Sequence, residues 1–519
     1  MLTIDLHSYQ DEAVDAFLDR GNMLLAFDMG LGKTVTSLAI AEELLGDEEI
    51  DTALIVVPSG LKLQWAMALA KRTDVPTQTI TVKGESFQVP EDRYCVVVDG
   101  TPKRRREQYQ MIKELRPQYV IVGYQTVVSD LRSIKRLKPG LIVLDEATVI
   151  KNPAAEVTKC VRQLWAPWRL ALTGTPVDNR LEELFHIMAW VDPDLLGDFE
   201  KFDRSFIKRD YWGRVKGYVN MPILHRKVAP ALIRKRTTDA DVAPYMPELV
   251  HSRWAVDMDS DTARVYRRIM GDLADELGKM PLHGTFDLAA HYSGEGENTP
   301  AGRVMAIHLA GQMLLTCPEL LFDSDSAYAR DLVDAGVIDG LQLSGKSVRL
   351  THEVDRILAD PESKIILVTR FRGMVSRLAR QWPQSVVYHG DLNPAEKQRA
   401  VNRFETDPKI RVFIMSHAGA YGVDIPAANF LINIDPARAT GQRSQINHRH
   451  VRAGSKHRRV YVFDLVTSGT IEERDYDRLD VRGRVASAAV DGQGADVAGR
   501  VMDDVESLTA HATSVRADS

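Results

Sequence analysis

Short, nearly continuous apolar runs recur through the first 195 residues, at 23–27, 53–57, 94–98, 119–122, 141–144 and 169–172. Runs of this kind are typical of parallel strands that are covered on both faces. Helical patterns such as 34–45 and 61–71 lie between them. The alternation predicts an α/β fold, an open sheet built from βαβ units.

The same rhythm returns in the second half of the chain, with predicted strands at 364–368, 385–388, 412–415, 430–434 and 460–465. Helical patterns at 374–381 and 394–404 separate them. We therefore expect four regions, the bounds being an N-terminal lobe 1–195, a mainly helical insertion 196–343, a C-terminal lobe 344–485 and a tail 486–519 that is partly helical or disordered.

The amino-acid composition limits the class of protein to which this chain can belong. The chain has 519 residues, is 44% hydrophobic and carries a net charge of −6, so a polyanion site has to be a local basic surface. Its three cysteines are far apart, which makes a disulfide framework improbable and fits a reducing compartment. No apolar run approaches the ~20 residues of a membrane span. A soluble, intracellular protein is expected.

The strongest chemical motif is the segment from Asp28 to Thr34, which follows a predicted strand and opens a predicted helix. Gly30 and Gly32 let backbone N–H groups approach phosphates, and the helix N-terminus adds a positive dipole end. Lys33 would reach the β- and γ-phosphates of ATP, while Thr34 would ligate Mg²⁺. Phe27 stands where the usual pattern has its first glycine.

A pair of carboxylates completes the predicted nucleotide site. The apolar run 141–144 delivers Asp145 and Glu146 at its C-terminal end, where open α/β sheets bind ligands. Asp145 would hold Mg²⁺, and Glu146 would orient or deprotonate the attacking water. Gln10 is a weaker signal, because a glutamine amide can pair with adenine but also suits a surface helix start.

With these motifs in order, the chain resembles superfamily-two helicases and, within them, the Swi/Snf-type double-stranded DNA translocases. The resemblance covers residues 6–475. In the first half it rests on 54–65, which includes Pro58 and Trp65, and on 120–126, 151–153 and 172–184. Further matches lie at 233–236, 246–247, 316–320, 344–346, 388–390, 416–424 and 445–454. Thr148 and His448 depart from the family pattern, which usually has a histidine and an acidic residue there.

The resemblance implies two RecA-like P-loop lobes that close on ATP, with DNA gripped through its phosphate backbone. It places Arg449 and Arg452 in the cleft as arginine fingers, and their spacing predicts that they share one helix face. It also implies that Gly422 and Asp424 contact the nucleotide. Contacts to the DNA backbone are implied for Pro58, Thr126, Ser416 and Gly419.

Three hypotheses about function follow. The first is a DNA-dependent ATPase that moves along duplex DNA, with ATP and Mg²⁺ as cofactors. The second is a strand-separating helicase, because a wedge could lie within 196–343. The third is a nucleotide-gated DNA-binding scaffold with weak turnover, against which the intact motifs argue. The near-minimal length favours a bacterial or phage enzyme, located in the cytoplasm or at the nucleoid.

Overall fold

The computed structural model describes residues 1–82, 84–280, 297, 299–341, 343–420, 424–452, 455–493, 497–498 and 504–517. Its strands, in chain order, are β1 Asn22–Phe27, β2 Ala53–Val57, β3 Thr77–Val82, β4 Glu85–Pro90, β5 Cys95–Val97, β6 Tyr119–Gly123, β7 Leu141–Leu144, β8 Trp168–Leu172, β9 Ile207–Arg209, β10 Val215–Tyr218, β11 Leu232–Lys235, β12 Glu248–Val256, β13 Ile365–Thr369, β14 Val386–Tyr388, β15 Val412–Ser416, β16 Phe430–Asn433, β17 Arg459–Thr467 and β18 Val497–Ala498.

The α-helices, in chain order, are α1 Ser8–Arg20, α2 Lys33–Gly46, α3 Lys62–Arg72, α4 Pro102–Leu115, α5 Tyr124–Leu137, α6 Glu156–Val161, α7 Glu182–Val191, α8 Phe199–Phe206, α9 Met221–Val228, α10 Ser260–Leu277, α11 Pro300–Thr316, α12 Ala327–Asp334, α13 Gly345–Leu358, α14 Arg372–Gln381, α15 Pro394–Thr406, α16 Thr440–Asn447, α17 Ile471–Val490 and α18 Asp504–Ala517.

The chain divides into two compact units. The first consists of Met1–Phe206, Asn220–Met246 and Val485–Ala495, and the second of Ile207–Val219, Pro247–Arg484 and Asp496–Ser519. Each unit contains its own sheet with helices around it, so the predicted α/β class with two lobes is confirmed. No helix in the described part of the chain is long and apolar enough to cross a bilayer.

The first unit is built on a seven-stranded sheet in the order β11-β1-β8-β7-β2-β6-β5, in which every ladder is parallel. Every residue of β2, β6 and β7 is buried. Burial on both faces explains why these strands are visible as continuous apolar runs. The parallel arrangement brings the carboxyl ends of the central strands to one edge, and the candidate nucleotide residues follow those ends.

The second unit has a six-stranded parallel sheet in the order β12-β17-β16-β13-β15-β14. Alternate residues of β13 serve two cores. Ile365 and Leu367 belong to the core on one face, and Ile366 and Val368 to the core on the other. The strand is therefore sandwiched between two helical layers, as a doubly wound sheet requires.

A helical layer of the second unit includes the end of the chain. Helix α18 packs on α10, which also packs on α11, and the shared core of these helices contains Leu273, Leu314 and Leu508. The hydroxyl of Tyr266 lies 2.8 Å from Nε2 of His511 and accepts the backbone N–H of Ile471 at 2.7 Å. The last described segment of the tail, α18, is therefore a docked helix.

The region predicted as a mainly helical insertion, 196–343, is divided between the units. Its β11 pairs in parallel with β1 at the edge of the first sheet, and its β12 pairs in parallel with β17 at the edge of the second. Helix α17 runs on to Val490, past the expected boundary at 485. These edge strands pair with partners some 200 residues away, which local periodicity cannot reveal.

Candidate nucleotide site

The segment from Asp28 to Gly32 forms a tight loop between β1 and α2. Gly30 has φ +86° and Gly32 has φ +80°, both in the left-handed region that side chains disfavour. A Cβ at Gly32 would lie 2.3 Å from Nε2 of Gln10. The loop therefore requires glycine at both positions, and its backbone amides precede the N-terminus of α2, as an anion cradle requires.

Lys33, the first residue of α2, turns its ammonium group back over this loop. Its Nζ donates to the carbonyl oxygens of Phe27 at 2.9 Å and Asp28 at 3.2 Å. An ideal Cβ built on Gly174 would lie 3.4 Å from the same Nζ, so the segment after β8 passes close to it. Thr34, half-buried, occupies the next position in the helix. A held cation, glycine loop and helix N-terminus together suit a polyphosphate.

Asp145 follows β7 and is fixed by several groups. Oδ2 accepts the indole N–H of Trp65 at 2.7 Å, and Oδ1 accepts the backbone N–H of Glu146 at 3.0 Å. The hydroxyl of Tyr124 donates to the backbone carbonyl of Asp145 at 2.8 Å. Burial raises the pKa of Asp145, and the Trp65 hydrogen bond and the charge of Lys33 oppose that rise.

Trp65 and Tyr124 were known from the sequence only as positions of resemblance, and their role in holding Asp145 was missed. The indole of Trp65 is 80 residues away from Asp145 along the chain, so only the fold brings them together. Glu146 adopts φ +52°, a left-handed conformation that is unusual for a glutamate. Such strain is concentrated at functional positions, which agrees with the role predicted for Glu146.

Gln10 lies against the phosphate loop. Its Nε2 donates to the carbonyl of Leu31 at 3.1 Å, and its Oε1 accepts the backbone N–H of His7 at 3.0 Å. The hydroxyl of Tyr9 also donates to Leu31 O, at 3.2 Å, and burial raises the pKa of Tyr9 to about 12. Helix α1 thus braces the loop. A contact from Gln10 to adenine stays a prediction.

An arginine from strand β11 also holds the phosphate loop. Nη1 of Arg234 lies 2.7 Å from Oδ1 of Asp28 and donates to Ala26 O at 2.7 Å, while Nε donates to Asp491 at 2.6 Å. The two carboxylates raise the pKa of Arg234 against the opposing effect of burial. In the sequence, 233–236 is only one of the stretches of resemblance. The available signal was a pair of charged residues, Arg234 and Lys235, directly after the apolar Leu232 and Ile233.

Two of the segments that resemble the helicase family, 151–153 and 172–184, contact each other. Nζ of Lys151 lies 2.7 Å from Asp178 and 3.3 Å from Glu183. Oε2 of Glu183 accepts the backbone N–H groups of Asp178 and Asn179, at 2.7 and 2.9 Å. The two carboxylates raise the pKa of Lys151. This network ties the segment after β7 to the segment after β8.

In the second unit, Arg449 and Arg452 converge on Asp424. Arg452 forms a hydrogen-bonded ion pair with the carboxylate, and Nη1 of Arg449 lies 3.9 Å from it. The prediction that both arginines share one helix face is wrong, because α16 ends at Asn447. The Ile425 N–H donates to Arg449 O at 2.9 Å, so Arg449 is bonded to the segment around Asp424 instead.

The roles of Asp424 and Gly422 in binding the nucleotide stay predictions. Here the carboxylate of Asp424 orients the two arginines, although 62% of its side chain is exposed. Gly422 lies outside the described residues. A nucleotide phosphate would offer the arginines a second anionic partner.

The residues that were predicted to contact DNA differ from one another in how far they are exposed to solvent. Pro58 is half-buried before a short 3₁₀ turn, Ser59–Leu61. The side chains of Thr126 and Ser416 are buried, and Oγ of Ser416 accepts the Gly419 N–H at 3.1 Å. A Cβ at Gly419 would lie 3.0 Å from Tyr388 O, so its backbone is tightly packed. Contact with DNA stays a prediction for all four residues.

The fold and this site define a class of protein, the P-loop ATPases with two α/β lobes. Comparison with protein families agrees with that class. The SNF2-related domain matches residues 9–308, more than half of the chain, and the helicase conserved C-terminal domain matches residues 347–457. The chain belongs to the SNF2-related family. Membership of this family implies that the chain uses a nucleotide.

Curated relatives match along most of this chain. They include the TATA-binding protein-associated factor BTAF1 of Arabidopsis thaliana (27% identity, 96% of this chain and 26% of that protein). The DNA repair and recombination protein RAD54 of Saccharomyces cerevisiae is 25% identical over 91% of this chain and 53% of its own. The chain thus spans between a quarter and about half of these relatives.

A solved structure of similar fold is the Pyrococcus furiosus Hef helicase domain. It matches with a TM-score of 0.53 at 17% identity, covering 91% of this chain and 97% of that one. At this identity the likeness concerns the fold alone.

Proposed function

We propose that the chain is a DNA-dependent ATPase that couples ATP hydrolysis to movement along duplex DNA. The observation that carries the proposal is the glycine loop and Lys33 beside a buried Asp145 that is followed by a strained Glu146. Family membership and the similarity to a DNA repair and recombination protein support the choice of DNA.

Each group of the nucleotide site has a distinct task in this proposal. The loop amides and Lys33 bind the β- and γ-phosphates, and Thr34 and Asp145 are the residues that would hold Mg²⁺. Asp145 suits a metal because it is a fixed carboxylate whose two hydrogen bonds leave lone pairs open. Mg²⁺ would neutralise charge that develops on the phosphate oxygens. Glu146 orients and deprotonates the attacking water.

The arginines of the second unit supply the remaining positive charge. We propose that Arg449 and Arg452 stabilise the γ-phosphoryl group during transfer, an effect worth roughly 10³–10⁵ in rate for arginine fingers. Asp424 keeps both guanidinium groups together before they engage. Hydrolysis would then require the two lobes to approach each other, and this dependence would couple turnover to movement.

Contacts to DNA are proposed at Pro58, Thr126, Ser416 and Gly419, which lie at or shortly after the carboxyl ends of strands β2, β6 and β15. A motor that steps along DNA has to grip phosphates without reading bases. Affinity should therefore fall steeply as salt rises, and it should change little with base sequence.

The test is steady-state ATPase activity without nucleic acid and with single-stranded DNA, duplex DNA or RNA, using Lys33→Ala as the control. Strong stimulation by duplex DNA is expected. Stimulation mainly by single strands would favour a strand-separating helicase, and stimulation by RNA would contradict the DNA proposal. ATP binding without turnover under every condition would favour a nucleotide-gated scaffold.

Glu146→Gln tests the catalytic carboxylate separately. The variant should bind ATP with an affinity close to that of the unmodified chain and should lose turnover, because the amide cannot accept a proton. If turnover survives, the catalytic base has been assigned to the wrong residue.

A further inference from the structure

An antiparallel hairpin in the second unit exposes two aromatic rings at its tip. Strands β9 and β10 form this aromatic hairpin, residues 207–218. Tyr211 is 94% exposed and Trp212 is 51% exposed. Two adjacent large rings at this exposure leave apolar surface in water, and exposed apolar patches of adjacent side chains are a feature of interaction sites.

The tip is held by hydrogen bonds centred on Asp210. One of its carboxylate oxygens accepts the backbone N–H groups of Trp212 at 3.0 Å and Arg214 at 2.9 Å. The Gly213 N–H donates to Asp210 O at 3.0 Å, with Gly213 at φ +81°. Arg209 Nη1 donates to Gly213 O at 3.0 Å. The loop therefore has a defined shape that presents the rings.

The base of the hairpin is anchored in the second unit. Ile207, Val215 and Tyr218 are buried, and the ladder pairs Ile207 with Tyr218. Strand β10 also pairs with β18 on its other side. A buried base and an exposed tip together make the hairpin a projecting element.

The charge of the hairpin is opposite to that of the whole chain. Residues 207–218 contain the cations Lys208, Arg209, Arg214 and Lys216, against the single acid Asp210, whereas the full chain has a net charge of −6. The guanidinium carbon of Arg214 lies 6.0 Å from the centre of the Trp212 ring. Cations around exposed aromatic rings are the combination that recognises single-stranded nucleic acid, where phosphates and open base faces occur together.

We propose that the aromatic hairpin is a second DNA-binding element, which stacks Tyr211 and Trp212 on unpaired bases where a duplex opens into single strands. The proposal rests on the proposed function and names the DNA structure that the protein prefers. An intact duplex covers the faces of its bases, so an aromatic ring needs a break in stacking to find a partner. Every base has a π-face, so the contact would not depend on sequence.

The experiment measures binding by fluorescence anisotropy at one fixed salt concentration, without ATP. The probes are a blunt duplex and the same duplex with an unpaired tail. The variant Tyr211→Ala/Trp212→Ala should lose at least roughly 5-fold in affinity for the tailed probe, since each stacked base contributes roughly 5- to 150-fold. Its affinity for the blunt duplex should change less than about twofold, because the cations remain.

Two controls separate stacking from general disturbance. Trp165→Ala removes another tryptophan, 71% exposed in the first unit, and should leave both affinities unchanged. Tyr211→Phe/Trp212→Phe keeps aromatic faces and should retain most of the preference for the tailed probe. A fluorescent base analogue placed in the tail beside the junction should be quenched by the unmodified chain and not by the alanine variant.

The proposal is overturned if the alanine variant binds the tailed probe as the unmodified chain does. It is equally overturned if both probes lose affinity alike, or if the variant instead changes the oligomeric state, because the rings would then serve the fold or a second copy. Failure of duplex DNA to stimulate the ATPase would contradict the proposed function without affecting this binding measurement.

Discussion

Replacing Arg234 with methionine would test whether strand β11 positions the phosphate loop. The change keeps most of the apolar stem and removes the guanidinium group. That group contacts Asp28 in the loop, Ala26 O in β1 and Asp491 after α17. The side chains of Arg234, Asp28 and Asp491 are 19%, 17% and 9% exposed, so both carboxylates would be left largely buried without this cation.

The expected magnitude follows from this burial. Removing one partner of a fully buried ion pair costs about 3–5 kcal/mol. Partial exposure lets water reach the remaining carboxylates, so we expect a loss of ~2–4 kcal/mol in the free energy of unfolding of the first unit. For a unit of this size, the corresponding fall in Tm is roughly 5–10 °C. The KM for ATP should rise, because Asp28 would no longer hold the loop in position.

The assay combines thermal denaturation with ATP titration of the DNA-stimulated ATPase. Asp491→Asn is the informative companion, because it weakens one ion pair but keeps the contact between Arg234 and Asp28. It should lower the Tm in part and leave the KM for ATP nearly unchanged. Arg204→Met is the matched control, since the side chains of Arg204 and its partner Glu200 are 79% and 81% exposed, and it should change either quantity little.

A fall in Tm for Arg234→Met with no change in KM would contradict the claim that Arg234 positions the loop. An unchanged Tm would contradict the energetic reasoning itself, since it would mean that water replaces the guanidinium group at little cost.

Three further predictions address the loop, a buried ion pair and a buried histidine. Gly32→Ala should lower kcat/KM for ATP roughly 10- to 100-fold, because φ is +80° and the new methyl group would meet the buried amide of Gln10. The control Gly46→Ala should change kcat/KM little, because the space around Gly46 is open. Lys346→Met should lower the free energy of unfolding by ~3–5 kcal/mol in urea titrations, since its ion pair with Glu472 is buried, and the double variant with Glu472→Leu should recover much of the loss. Burial lowers the pKa of His417 to about 3, so the folded state loses stability as pH falls from ~6.5 toward 3. His417→Asn should flatten that decline in Tm measured across pH, and an unaltered slope would refute the assignment.

The central strands were predictable from the sequence because a strand buried on both faces has to be apolar throughout. The predicted runs 53–57 and 141–144 coincide with β2 and β7 at both ends. The phosphate loop was predictable for a similar local reason, since Gly30 and Gly32 occupy left-handed conformations directly between a strand and a helix. Local patterns are sufficient to predict these strands and this loop, because residues that are neighbours in the sequence belong to the same strand or loop.

Other features could not be obtained from local patterns. The helix α16 ends at Asn447, before both predicted arginine fingers, and the carbonyl of Arg449 accepts the N–H of Ile425. The spacing of three residues was compatible with a helix, and it contains no information about this contact with a distant segment. The aromatic tip of the 207–218 hairpin likewise stands out only when its exposure is known.

Local sequence patterns were sufficient to predict the α/β class, the two lobes and the residue types of the nucleotide site. The contacts that hold this site together depend on how distant segments pack. Trp65 reaches Asp145, and Arg234 joins Asp28 to Asp491, across 80 to 257 residues of chain. Whether a residue lies in a helix or a strand depends largely on its neighbours in the sequence. The partner of a buried charge depends on packing, because distant elements bring that partner within hydrogen-bonding distance.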